Sequence, residues 1–295
     1  MFMFVLYSHI ANIKYDDNML ELKHNIIFDG QPVAWGCMGQ GPALVLIHGT
    51  PFSSQVWRRI APLLSSQWTI YYYDMVGYGQ SHQSAGQQVS LGVQDRLLAA
   101  LLKEWKLMRP DILCHDFGGA TALRGYFLQG LRYASLTLFD AVAISPWGSP
   151  FVAHVRKHQD AFTGLPEYAH DALLNAYLRG AAYRSLSEEA LNIYMSPWQG
   201  EVGQAAFYRQ IAQMDQCYTD EIEPLLTKLD CPVNLLWGEQ DEWIPLDVGK
   251  RLAHRLGDAP LQIVKNAGHL VQEDAPEAIV QSMYSLLLQR NHAIR

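Results

Sequence analysis

Short apolar runs ended by Gly, Pro, Asn or Asp alternate along the chain with stretches in which apolar residues recur every three or four positions. The first pattern suits strands buried on both faces and the second suits helices with one buried face. Strands are predicted at 22–28, 32–36, 43–47, 68–73, 111–115, 135–139, 233–237 and 262–264, eight in all. Between them Val56, Ile60, Leu63 and Leu64 recur at helical spacing, as do Ile279, Val280, Met283, Tyr284 and Leu287. Asp274 and Glu277 form a capping-box pattern ahead of that last helix, with Pro276 in its first turn. The alternation predicts an α/β fold, a mostly parallel eight-stranded sheet with helices on both faces.

The rhythm breaks at 145–229, where helical patterns and many aromatics appear without a strand signal. An inserted helical cap domain is expected there, flanked by a core domain built from 19–144 and 230–295. Packed over the C-terminal edge of the sheet, such a cap covers the place where open α/β sheets bind ligands. Residues 1–18 read as an N-terminal extension without assigned function; their apolar start is too short for a membrane span and lacks a basic flank.

Composition narrows the class. The chain has 295 residues, 49% of them apolar and 17% charged, so it can bury a large core and is not a disordered or fibrous sequence. The net charge is -7 and the 22 Lys and Arg are scattered, which argues against a nucleic-acid partner. Cys37, Cys114, Cys217 and Cys231 have no metal-like or CxxC spacing, and free thiols in a cytoplasmic, reducing compartment are expected. The histidines show no HExxH and Gly36, Gly39 and Gly41 precede a strand rather than a helix, so neither metal nor dinucleotide cofactor is expected. No membrane partner is expected, and the oligomeric state is left open.

The most informative segment is Asp111-Ile-Leu-Cys-His-Asp-Phe-Gly-Gly, a strand, a sharp turn and a helix start. Cys114 and Gly118, two before and two after Asp116, are the small residues that a strained turn with a projecting central residue requires. This segment resembles the nucleophile elbow of the α/β-hydrolase family, with aspartate in place of serine, and the resemblance extends from Leu22 to Leu288. His-Asp-Phe-Gly-Gly is similar to the branch with a carboxylate nucleophile, the epoxide hydrolases and dehalogenases. An ionised carboxylate needs no base before it attacks an sp³ carbon, but the alkyl ester so formed needs a His base and an orienting acid for its hydrolysis. Asp241 and His269 each follow a strand, and the order Asp116, Asp241, His269 is that of the fold's triads. Asp140, after the strand at 135–139, is the alternative acid, since some dehalogenases that this chain resembles place theirs there.

His48-Gly-Thr-Pro51 resembles the HGxP signature of the same branch; the resemblance implies a cis bond before Pro51 and an oxyanion hole from the N–H groups of Thr50 and Phe117. Asp74 to Ser81 is also family-like and reads as scaffold. Haloalkane dehalogenases usually carry Trp and Asn where Phe117 and Thr50 stand, and fluoroacetate dehalogenases carry Arg at the Phe117 position. Opening an epoxide instead asks for a tyrosine donor. The cap offers Tyr168, Tyr177, Tyr183, Tyr194, Tyr208 and Tyr218, and Phe207-Tyr-Arg resembles the Trp-Tyr-Arg segment of epoxide hydrolases, which selects Tyr208. Trp147 and His154 are expected in the substrate pocket, with Trp198 able to line it.

Together these features point to a cofactor-independent hydrolase acting on a small apolar organic substrate, epoxides first. Haloalkane or haloacid dehalogenation is the alternative. A non-catalytic protein binding a small molecule is the alternative of another class, opposed by the complete triad. Ester or carbon–carbon hydrolysis is a third possibility, in which Asp116 would be a poor nucleophile because acyl transfer to it gives an anhydride.

Overall fold

The computed structural model describes residues 18–293. The N-terminal extension expected at 1–18 therefore lies, except for Asn18, outside the described residues. Eight strands form one sheet: β1 (His24–Phe28), β2 (Gln31–Gly39), β3 (Ala43–Ile47), β4 (Thr69–Tyr73), β5 (Asp111–His115), β6 (Ser135–Phe139), β7 (Val233–Gly238) and β8 (Leu261–Val264). Their order is β1-β2-β4-β3-β5-β6-β7-β8. Pairings β1 with β2 and β2 with β4 are antiparallel, and the other five are parallel. Every residue of β5 and β6 is buried, as the unbroken apolar runs require.

Register carries the fold's consequence for function. Ile47 pairs with Cys114, His115 with Phe139, Phe139 with Leu236 and Gly238 with Val264. The turns after β3, β5, β6, β7 and β8 thus emerge side by side at the C-terminal edge. Leu44, Leu46, Ile112, Leu113, Leu136 and Leu235 lock this register in the interior. Each such side chain contributes about 1.5–3 kcal/mol on burial, so a slip of one strand is heavily opposed.

Helices α1 (Leu91–Glu104) and α2 (Phe117–Leu128) pack together, joined by a buried Arg124–Asp95 ion pair at 2.7 Å. Between β6 and β7 the chain forms α3 (Pro150–Lys157), α4 (Glu167–Arg179), α5 (Glu188–Met195) and α6 (Gly200–Ala212), with one-turn helices between them and no strand among the described residues. Ser149 and Ser187 cap α3 and α5 by accepting the N–H of Val152 and Ala190. The chain ends with α7 (Leu246–Arg255) beside β7 and with α8 (Pro276–Ala293). No helix among the described residues is long and apolar enough to cross a membrane.

Two local expectations are corrected. The helix anticipated around Val56 to Leu64 is a 3₁₀ turn at Ser54–Trp57 and a separate helical turn at Ala61–Leu64, because Pro62 lacks an N–H and fits only a helix's first turn. Asp274 does not cap α8. It closes a short helix, Val271–Asp274, and its carboxylate accepts the N–H groups of Tyr183, Arg184 and Gly268 at 2.8 Å each.

Candidate active site

Asp116 joins β5 to α2 with φ +51° and ψ −118°, a conformation that favours glycine. Such strain costs of order 1–3 kcal/mol and persists only where the surroundings impose it. Close approach imposes it here: a Cβ on Gly118 would lie 2.3 Å from the Ile47 carbonyl oxygen, and one on Gly49 2.4 Å from Asp116 Cβ. The turn pushes the Asp116 side chain out at the sheet edge between the turns after β3 and β8.

The two oxygens of Asp116 have different partners. Oδ1 accepts the Thr50 N–H at 2.7 Å, and Oδ2 faces His269 Nε2 at 3.5 Å. That distance is long for a hydrogen bond, and Nε2 has no other partner. His269 Nδ1 donates to Asp241 Oδ2 at 2.9 Å, while Asp241 Oδ1 accepts the N–H groups of Trp243 and Ile244 at 2.8 and 2.9 Å. His115 Nε2 donates to the His269 carbonyl at 2.9 Å and fixes the loop from beneath. Thr50 precedes a cis bond to Pro51, and Phe117 is the first residue of α2, so its N–H has no acceptor within the helix. Of the two N–H groups expected at an oxyanion hole, that of Thr50 is thus on the Asp116 carboxylate, and that of Phe117 belongs to the residue that follows Asp116.

Burial alone would lower the His269 imidazole, but the charge of Asp241, the hydrogen bond that its carboxylate accepts and the nearby Asp116 carboxylate hold it well above its usual value. Asp140, at φ +43° after β6, is fully buried, and its Oδ1 accepts the Gly238 N–H at 2.9 Å. Burial, and then the charge of Asp241, push its carboxyl well up. Asp241, not Asp140, makes the hydrogen bond to His269 Nδ1.

A cavity of about 60 Å³ opens over Asp116. Its walls include Thr50, Phe117, Trp147, Tyr177, Met214 and Trp243, and Asp116 is its one charged residue. Trp147 takes the expected position, edge-on to Phe117 at 5.6 Å with its Nε1 donating to Thr219. His154 does not: it is exposed on α3, beside His158 and Phe162.

Tyr208 is also displaced from the expected position. His170 Nε2 donates to the Trp198 carbonyl at 2.9 Å, which leaves Nδ1 as an acceptor for the Tyr208 hydroxyl at 3.0 Å. Burial pushes the Tyr208 phenol up to about 12, and the residue does not line the cavity. On α6, Tyr208 and Gln210 point about 200° apart. It is Gln210 that turns toward the Asp116 side, accepting the Thr50 hydroxyl at 2.6 Å. Trp198 donates to the Pro51 carbonyl and does not line the cavity.

Tyr177 lines the same cavity as Asp116. Its hydroxyl makes no hydrogen bond among the described residues, and burial followed by the charge of Asp116 pushes its phenol up. Trp243 lies between it and His269, stacked on Tyr177 at 4.7 Å and on His269 at 5.0 Å. Sequence reasoning had Tyr177 among the cap tyrosines but could not single it out, and it passed over Trp243 and Gln210, each two residues from a position it had chosen. Among the described residues no group of three or more His, Cys, Asp or Glu is arranged to hold a metal.

The model of the alpha/beta hydrolase family matches residues 44–282, and the chain belongs to that family. An alpha/beta hydrolase fold protein from Burkholderia ambifaria superposes with a TM-score of 0.89 at 55% identity, over 90% of this chain and 98% of that one. A 2-hydroxy-6-oxo-2,4-heptadienoate hydrolase from Pseudomonas putida is 26% identical over 85% of this chain and 90% of its own. A fluoroacetate dehalogenase from a Burkholderia species is 36% identical, over 35% of this chain and 36% of its own.

Proposed function

We propose that the protein hydrolyses a small uncharged electrophile, an epoxide in the first place, through an alkyl ester on Asp116. The observation that supports this best is the division of the Asp116 carboxylate, with Oδ1 on a backbone N–H and Oδ2 toward the cavity and His269 Nε2. Oδ2 attacks carbon, the ring C–O bond breaks, and Tyr177 gives its proton to the departing oxygen and regains one from water. Water then adds to the Asp116 carboxyl carbon while His269 Nε2 takes its proton. The charge that develops on Oδ1 meets the N–H groups of Thr50 and Phe117. Collapse breaks the bond between the carboxyl carbon and Oδ2, the proton on His269 passes to the leaving alkoxide, and the proton left on the Asp116 carboxyl goes to solvent, replacing the one that Tyr177 drew from it. The helical segment 145–229 serves as the cap.

Ester formation also prepares the base. In the resting state two carboxylates support the imidazolium form of His269. Once Asp116 is esterified its charge is gone, the proton is held less tightly, and His269 becomes able to accept one from water.

The haloacid alternative suggested by the fluoroacetate dehalogenase meets an electrostatic objection. A substrate carboxylate about 4 Å from Asp116 is repelled by about 4 kcal/mol at an effective dielectric of 20; the His269 imidazolium is already engaged by Asp116 and Asp241, and no Lys or Arg is among the described cavity-lining residues to bind the substrate carboxylate. Acyl transfer, as ester or carbon–carbon bond hydrolysis would need, would require Asp116 to form an anhydride.

The test is intact-protein mass spectrometry of His269→Gln after incubation with short terminal epoxides and alkyl halides, with Asp116→Asn in the same background as control. An adduct of whole-reagent mass from epoxides, absent from the control, is expected. An adduct of reagent less hydrogen halide, from halides alone, would move the assignment to dehalogenation, and no adduct from any reagent on folded protein would favour the binding-protein alternative.

A further inference from the structure

The turn that carries Thr50 is gripped from the helical segment at two points. Trp198 Nε1 donates to the Pro51 carbonyl at 2.7 Å, and the Thr50 hydroxyl donates to Gln210 Oε1 at 2.6 Å. Tyr78 completes a triangle, its hydroxyl 3.1 Å from both Thr50 Oγ1 and Gln210 Oε1. Thr50, Tyr78 and Gln210 are all buried. From the core side the turn is held through His48, which accepts the Met75 N–H at Nε2 and donates from Nδ1 to the Gly49 carbonyl.

Thr50 thus faces two ways: its backbone N–H points to Asp116 Oδ1 and its side chain to α6. Gln210 Nε2 is buried without a partner, so the amide's polar anchorage is through Oε1 alone. A buried donor left unmade is unfavourable, and a leucine of similar size would avoid it. Packing therefore does not account for glutamine at this position, whereas its grip on Thr50 does.

We propose that Gln210 is a positioning residue that holds the Thr50 N–H on the Asp116 carboxyl oxygen, so that seating of the helical segment completes the oxyanion site. This rests on the reading of Asp116 as nucleophile. Ester formation draws on Oδ2, while ester hydrolysis builds charge on Oδ1. Loosening Gln210 therefore slows the second step more than the first. Loss of an oxyanion donor costs about 10²–10³ in rate, and a donor that is displaced but present should cost less, about tenfold.

The experiment uses Gln210→Leu, Thr50→Val, the double variant and Thr50→Ser, all with His269 intact, in single turnovers of a short terminal epoxide followed by intact mass. Gln210→Leu and Thr50→Val should form ester at near the unmodified rate and hydrolyse it about tenfold more slowly. The double variant should be no slower than either, and Thr50→Ser should restore hydrolysis. Equal slowing of both steps, additive losses in the double variant, or hydrolysis untouched would overturn the proposal. A second readout is independent of turnover: the Thr50 amide proton, bonded at 2.7 Å to a carboxylate, should resonate far downfield and move upfield in Gln210→Leu. An unmoved resonance overturns the role of Gln210, whereas a shifted one with no ester in any protein, His269→Gln included, overturns the nucleophile reading alone.

Discussion

At the scale of single residues, the site sets one strained carboxylate against one buried imidazole. Because the folded-state imidazole of His269 lies above its usual value, its stabilising interaction is fully present below about pH 6.5, the unfolded value. It is lost as the pH rises through the higher folded value. Asp116→Asn removes one of the two supporting charges, so the His269 midpoint read by NMR of its ring protons should fall. A midpoint unchanged by that substitution would contradict the ester-driven release of the proton. Tyrosines divide similarly. Tyr177→Phe should slow ring opening by about 10²–10⁴, the usual worth of a positioned acid. Tyr208→Phe should leave that step intact and lose about 1 kcal/mol of stability with its bond to His170. Stopped-flow turnover and thermal unfolding of the two variants separate these effects. Asp116, Asp241 and His269 were legible in the sequence because each follows a strand at a point where β-sheet register leaves little freedom. Tyr177 was not legible, since which of six cap tyrosines overhangs Asp116 depends on how helices without a sheet's register settle.

Elements explain why that difference arises. All eight strands were readable from apolar runs, β3, β5 and β6 with matching ends and the other five with ends shifted by up to three residues; the buried parallel strands were clearest because such strands allow few other sequences. Short helices were less readable: the Val56 to Leu64 spacing hides a break at Pro62, and the Asp274-Glu277 pattern belongs to a different use of Asp274. That carboxylate ties Tyr183 and Arg184, between α4 and α5, to Gly268 next to His269. Asp274→Ala leaves these N–H groups without their acceptor, at about 1–3 kcal/mol for each one that stays buried. Chemical denaturation should show a loss of this order, and His269 should become more mobile by NMR relaxation. A loss under 0.5 kcal/mol would mean that water replaces the carboxylate there.

For the molecule as a whole, the sheet brings Asp116, Asp241, His269 and the Thr50 N–H together from neighbouring strand ends, and the helical segment supplies the aromatic cover and the hydrogen bonds to the Thr50 turn. Under the proposed function, a site closed this way, with Asp116 the one charged side chain among the described cavity-lining residues, suits small uncharged molecules. The most direct measurement is isotopic. If hydrolysis proceeds by water attacking the Asp116 carboxyl carbon, a single turnover in H₂¹⁸O places the label in the peptide containing Asp116 and none in the diol. Label in the diol, with Asp116 unlabelled, would mean that water attacks the substrate directly, and would contradict the covalent ester.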